Sequence, residues 1–422
     1  MLKTEIKKVI CSLTFLLFVV VMTGDYITQM LPMLEEPLSK PEPGQEYYGS
    51  VEVEDADVLM PAATESLLEE YLTGYYKAYP FMFYKEVHLK EADTEKVAEI
   101  ICQLTGLSKE ILDGFTEYQP GGYIKTMDEN GNITGQYNEA ILPDYEFNKS
   151  ISYDTFRQLM EQVDEIIGGG SNYAAKNLVH NFSVVPMTYE AAVAEYEAIT
   201  AGNHVGESYT RLFCDYMGIF LAVIAIFVAA FYWNMDRRAK VQEIVYSRRM
   251  GTGRLVLLRI CALMLSMLPA IFIPYLHMMS RVNSLYNEVQ IPWGTAVLQM
   301  LLWIMPEILF VTVLSALITE IISPFLSIFI QGAWWYMSME MNELVGDIGK
   351  WNLILRHNTL GDIGVWNKEW TDFVWNRLFY FILSLMMIVA FIAMYDLKRK
   401  GRLEIGDKGV KRNHSKESVA GL

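Results

Sequence analysis

Cysteine and histidine are scarce in this 422-residue chain, with four and six respectively, and neither clusters. Cys11, Cys214 and Cys261 fall in or near apolar runs, which leaves Cys102 alone between them and excludes a disulfide framework there. No CxxC pair, HExxH element, GxSxG elbow or GxxxxGK[ST] phosphate loop occurs. Gly168-Gly169-Gly170-Ser171 is followed by Asn, Tyr and Ala, and reads as a helix stop. These absences argue against an independent enzyme and against an ATPase in particular, so neither catalytic residues, nor a metal, nor a cofactor bound by this chain is expected. Positive charge is also short. The formal net charge is -16, and nothing suggests a nucleic-acid partner.

What the chain has is apolar length. Hydrophobic residues make up 52% of it and come in long blocks. A membrane-spanning helix needs about 20 predominantly apolar residues, and blocks near 7 to 24, 212 to 234, 255 to 276, 294 to 318, 321 to 339 and 375 to 395 meet that need. The expected fold is an all-α polytopic membrane protein with six transmembrane helices. Lys3, Lys7 and Lys8 precede the first span, and Lys398, Arg399, Lys400 and Arg402 follow the last. Arg237, Arg238, Lys240, Arg248, Arg249 and Arg254 lie between the second and third. Short Lys/Arg-rich loops stay in the cytoplasm, so both termini and this loop are expected there. The first span could serve as a signal peptide, but Met22 is followed by Thr, Gly, Asp and Tyr with no small-x-small site, which favours a retained anchor.

This orientation divides the chain into residues 1 to 24, an exterior domain 25 to 210, a five-helix region 211 to 396 containing segment 236 to 254 and an exterior loop 340 to 374, and a basic tail 397 to 422. The exterior segment holds 33 acidic and 10 basic residues, so the overall acidity belongs to it. Residues 35 to 58 are acidic and Pro-rich, as in an extended linker. After them the periodicity is helical: Leu67, Leu68, Tyr71, Leu72 and Tyr75 behind a Thr64 cap, and Val97, Ile100, Ile101 and Leu104 behind Thr94 up to Gly106. A third stripe runs from Phe156 to Ile167 between Ser152 and Gly168, and a fourth helix from about Thr188 to Thr200. Between Tyr123 and Tyr137, Asn130-Gly131 signals a hairpin. Asp128, Asn130, Asn132, Thr134 and Glu139 have the spacing of a calcium loop, but Ile133 stands where that loop needs glycine, so a polar hairpin is preferred.

Within the spans, Glu307 follows Pro306 near mid-membrane, where a charge is costly and faces protein or water. It is a candidate for a translocation path, or else a contact between helices. Asp215, Arg259 and Glu320 lie near span ends, where snorkelling would serve them. Trp293, Trp334, Trp335, Trp351, Trp366, Trp370 and Trp375 fall around the outer ends of the last three spans, as an aromatic belt would. In segment 236 to 249 a helix would put Val241, Ile244 and Val245 on one face and Lys240, Glu243 and Ser247 on another.

The order of one span, a large exterior domain and five closely spaced spans resembles the ABC-2 type permeases of ATP-binding cassette transporters. DRRAKVQEIVYSRRMGTGRLVLLR resembles their cytoplasmic stretch, in which a Glu-containing amphipathic helix precedes the third span, with Glu243 at the matching position. The ending from Asn376, NRLFYFILSLMMIVAFIAMYDLKRKGRLE, is similar to their last span and tail, and LILRHN at 353 to 358 to their last exterior loop. The resemblance implies an exporter half in the cell membrane, coupled through Arg237, Arg238, Lys240, Glu243, Ser247, Arg248 and Arg249 to a cytosolic ABC ATPase that uses ATP. It would pair in the bilayer with a second six-span half of the same or a similar chain. The competing class is a non-transporting sensor or cell-envelope assembly protein acting through the exterior domain.

Overall fold

The computed structural model describes every residue except 54, 81–82, 120–121, 128–132, 139, 202–203, 341–347, 350 and 404–422, and it is mostly helical with little sheet. Two compact units emerge, Met1–Pro41 with Val193–Leu422 and Glu42–Ala192. Among the described residues, five helices are long and apolar enough to cross a membrane: Leu13–Glu35, Val205–Trp233, Thr252–Leu285, Trp293–Ile321 and Ile363–Arg399.

The first of these lies further along than 7 to 24. Helix α1, Leu2–Ile10, ends at Cys11, and the Ser12 side chain accepts from Phe15 N–H, which caps α2, Leu13–Asp25. A π-helical stretch at Tyr26–Met30 then joins α2 without a break to α3, Leu31–Glu35. Asp25, expected just outside the membrane, is thereby carried into the helix and buried.

The Glu42–Ala192 unit starts with β1, Ser50–Glu52, and α4, Ala56–Thr73, both of which begin inside the stretch expected to be an extended linker, so that linker is shorter than expected. The cap is Asp55, accepting from Asp57 N–H; Thr64 lies in mid-helix and bonds back to Met60 O. There follow β2, Tyr76–Ala78, β3, Lys85–Val87, α5, Glu91–Thr105, and α6, Lys109–Gly114. Next come β4, Gly122–Met127, β5, Ile133–Asn138, α7, Tyr153–Ile167, α8, Leu178–Phe182, and β6, Val184–Pro186. Among the described residues three antiparallel pairs form, β1 with β6, β2 with β3 and β4 with β5. The last pairs Gly122 with Asn138 and Met127 with Ile133, as the expected hairpin requires. Of the calcium-loop candidates, Asp128, Asn130, Asn132 and Glu139 lie outside the described residues. Leu67, Leu68, Val97, Ile101, Leu104, Phe156, Met160 and Val163 form a shared core. Helix α7 starts at Ser152, which accepts from Thr155 N–H, and stops at Gly168 with φ 109°, a conformation that glycine tolerates without strain.

The chain then passes through α9, Tyr189–Ala201, α10, Val205–Trp233, α11, Met235–Arg238, α12, Gln242–Tyr246, and α13, Thr252–Leu285. It ends with α14, Trp293–Ile321, α15, Pro324–Glu340, and α16, Ile363–Arg399. Helix α10 is central, packing against α2, α13, α14 and α15, while α14 also packs against α16. Gly218, Ala222, Ala225 and Ala229 are buried on α10, where small side chains let apolar helices approach. Gly206 is needed more strictly, since a Cβ there would meet Ile291 Cγ2 at 2.6 Å. The expected fifth span, 321 to 339, corresponds to α15, whose 17 residues reach only about 25 Å. It packs against α10 and α14 and holds α14 through a Ser327–Ser315 hydroxyl contact of 3.1 Å.

Candidate functional site

Two constellations of charge lie within the helical unit. In the first, Glu307 on α14 is fully buried and faces Arg377 on α16, with Arg377 Nη1 donating to Glu307 Oε2 at 3.3 Å. Arg377, itself fully buried, also donates to Leu353 O at 3.3 Å and stands 6.0 Å over the Trp303 ring. Within this chain Glu307 therefore lies against protein. One turn further along α14, the crevice lined by Phe310, Trp334 and Leu353 is too tight to hold a water.

Beside this pair, Asp215 of α10 accepts from Arg356 Nε at 3.0 Å and from the His357 backbone N–H at 2.6 Å. Arg211, one turn earlier on α10, donates to the Leu360 and Gly361 carbonyls at 3.1 Å and covers the Trp366 ring at 5.2 Å. The segment containing LILRHN is thus fastened over α10, α14 and α16 by three cationic side chains. Asp215 does not snorkel: it has no exposure, and its charge is paired inside. Trp366 likewise departs from the expected belt, being buried and stacked on Trp303 at 5.8 Å. Trp293, Trp351, Trp370 and Trp375 remain exposed as a belt would be.

The second constellation surrounds the predicted coupling residues. One helix from Asp236 to Arg249 does not form. Lys240 takes a positive φ of 56° and splits the segment into α11 and α12. Asp236 pairs with Arg259 of α13, Arg237 donates to Thr319 O at 3.3 Å and Glu320 O at 3.0 Å at the end of α14, and Arg399 of α16 donates to the carbonyls of Tyr246, Arg248 and Met250. Lys398 reaches Glu320 Oε1 at 2.6 Å, and Thr252 donates to Asp396 at 2.9 Å. Arg259 and Glu320, expected to snorkel, are buried in these pairs. Of the predicted residues, Arg237 turns inward, whereas Arg238, Lys240, Glu243, Ser247, Arg248 and Arg249 are exposed. The expected apolar face divides as well: Val245 is buried, but Ile244 is 62% exposed beside Glu243.

Sequence reasoning missed Arg377, Arg356, Arg211 and Asp236 as partners. The available signal was an unpaired acid in an apolar helix, which demands a cation from somewhere. Among the described residues no group of three or more His, Cys, Asp or Glu side chains is placed to hold a metal. Comparison with family models, with characterised proteins and with solved structures gives no match.

Proposed function

We propose that this chain is the membrane-spanning permease subunit of an ATP-binding cassette transporter of the ABC-2 type, an exporter in the cell membrane. In this reading both termini and residues 236 to 254 face the cytoplasm, and residues 25 to 210 and 340 to 374 face outward. Helix α15 supplies the sixth span, a separate cytosolic ATPase supplies the energy, and a second permease half completes the path.

The observation that carries the reading is the way the 235–254 segment is held. Side-chain bonds tie its inner side to the ends of α13, α14 and α16, while Glu243, Ile244, Ser247, Arg248 and Arg249 are left on the surface. A force applied to that surface reaches three long helices through contacts already made. Anchoring to anionic lipid is the competing use of the arginines, at about 1 kcal/mol each. Charge decides between them. Glu243→Lys strengthens a lipid anchor but opposes a docking surface built for a protein partner. The test is copurification of the ATPase with full-length permease carrying Glu243→Lys, in membranes shown to contain the variant. Reduced association and reduced substrate-stimulated ATP hydrolysis are expected; undiminished values of both reject the coupling role. The reading as a sensor or assembly protein is supported by the separate core of Glu42–Ala192, and it predicts that no ATPase copurifies even with the unaltered chain.

A further inference from the structure

The Glu42–Ala192 unit carries a cleft of about 300 Å³ on residues that the permease reading does not use. Its walls include Glu69 and Glu70 from the end of α4, Tyr75 before β2, Tyr84 and Glu86 at β3, and Tyr118. Local structure explains the gathering. Gly74, with φ 70°, ends α4 and reverses the chain, and the β2–β3 pairing sets Lys77 opposite Glu86. Among the described residues of the lining, Lys77 is the one cation against three carboxylates. Among the described residues, none of these four charges has an opposite charge within 4.0 Å.

Glu70 is the telling member. It is only 4% exposed, and its carboxylate accepts from Tyr173 Oη at 3.0 Å and weakly from Lys77 N–H at 3.4 Å. A buried carboxylate without a cation is unfavourable, and a ligand cation would remove that penalty. We propose that this cleft binds a small organic ammonium ion, with its charge against Glu70 and Glu69 and its hydrocarbon against the rings of Tyr75, Tyr84 and Tyr118. Carboxylates combined with aromatic faces are the recognition chemistry of ammonium groups. The volume holds about ten waters, so the occupant is a small molecule. An anion would meet three carboxylates and one lysine. A bare metal ion is disfavoured because no three of the described acids converge at ligand distance. Burial pushes the Glu70 carboxyl up to about 7, by more than the Tyr173 hydrogen bond and Lys77 bring it down. The inference concerns this unit alone and stands whether or not the chain is a permease.

The test is calorimetric titration of the full-length protein in nanodiscs of neutral lipid with butane-1,4-diamine and with tetramethylammonium, at constant ionic strength. Saturable binding of at least one is expected, with sodium acetate giving none. Tyr84→Ala and Glu86→Gln change exposed side chains, so they leave the fold intact; each should weaken binding about tenfold, as the loss of a cation–π or charge contact does. Glu70→Gln should weaken it further, and Glu161→Gln, an exposed acid on α7 outside the cleft, should not. No saturable binding of either amine, or binding equally weakened by Glu161→Gln, overturns the proposal.

Discussion

Glu70 has a second consequence, for stability. Burial raises its carboxyl from 4.5 to about 7, with the Tyr173 hydrogen bond, Lys77, the Lys77 amide and Glu69 as smaller influences, and Tyr76 is close enough to feel its charge. The folded protein therefore holds this proton more tightly than the unfolded chain does. The resulting stabilisation is complete below about pH 4.5 and is lost as pH rises through 7, a difference of roughly 3 kcal/mol. The opening free energy of α4, from hydrogen exchange corrected for intrinsic rates, should fall by about that amount between pH 4.5 and 8. In Glu70→Gln that fall should vanish; an equal fall in both proteins assigns it elsewhere. Glu307 calls for a different comparison. Glu307→Leu alone strands the buried Arg377 charge, at about 3–5 kcal/mol, whereas Glu307→Leu with Arg377→Leu removes both charges and should recover most of the loss. Melting temperature checks the first half. Substrate flux checks the second: a double variant that assembles but does not transport gives Glu307 a role on the path, and one that transports normally leaves it a helix-to-helix contact.

At the scale of the element, the sequence was most readable where structure is local. Helix α7 has its cap at Ser152 and its stop at Gly168, α5 ends at Gly106, and the β4–β5 strands flank Asn130-Gly131, because each of these signals acts within a few residues. Position 64 misled because threonine caps and threonine back-bonds use the same hydroxyl; Asp55 did the capping. The buried pairs were unreadable for another reason. Arg377 lies 70 residues from Glu307, and Arg356 lies 141 from Asp215, so only the packing of whole helices brings them together. Lys240 was likewise invisible, since a lone lysine at φ 56° costs about 1–2 kcal/mol and is held by contacts on either side. Arg399 is the most instructive of those contacts, because one guanidinium collects three carbonyls around α12. Arg399→Lys keeps the charge but cannot present the planar fork. If the segment transmits motion, ATPase copurification should persist in Arg399→Lys while substrate-stimulated hydrolysis drops several-fold; unchanged stimulation would separate α16 from the coupling.

For the whole chain, parity makes the number of crossings measurable. Five spans put the two termini on opposite sides of a membrane, and six put them on the same side. Length alone leaves α15 short, at 17 residues. Contacts within the helical unit argue for a crossing nonetheless. The end of α14 at Glu320 meets Arg237 and Lys398, and the end of α16 at Arg399 meets the residues between α12 and α13. Helices α14 and α16 thus finish at one level and run in the same direction. In the proposed topology the chain returns to the opposite level between them, and among the described residues α15 is the helix placed to carry it there. A helix of about 25 Å is accommodated by local thinning of a bilayer core of about 30 Å. The charge pattern agrees, since Lys398 to Arg402 and the arginines of the 235–254 segment then share one side. Single cysteines introduced near Lys3, Glu165 and Arg402, in a chain with its native cysteines replaced, should give one outcome in intact cells. The Glu165 site reacts with an impermeant thiol reagent, and the Lys3 and Arg402 sites react only after permeabilisation. Labelling at Arg402 but not Lys3 before permeabilisation would mean five crossings and a non-spanning α15. Labelling at both termini but not at Glu165 would invert the topology and remove the 235–254 segment from reach of any cytosolic ATPase.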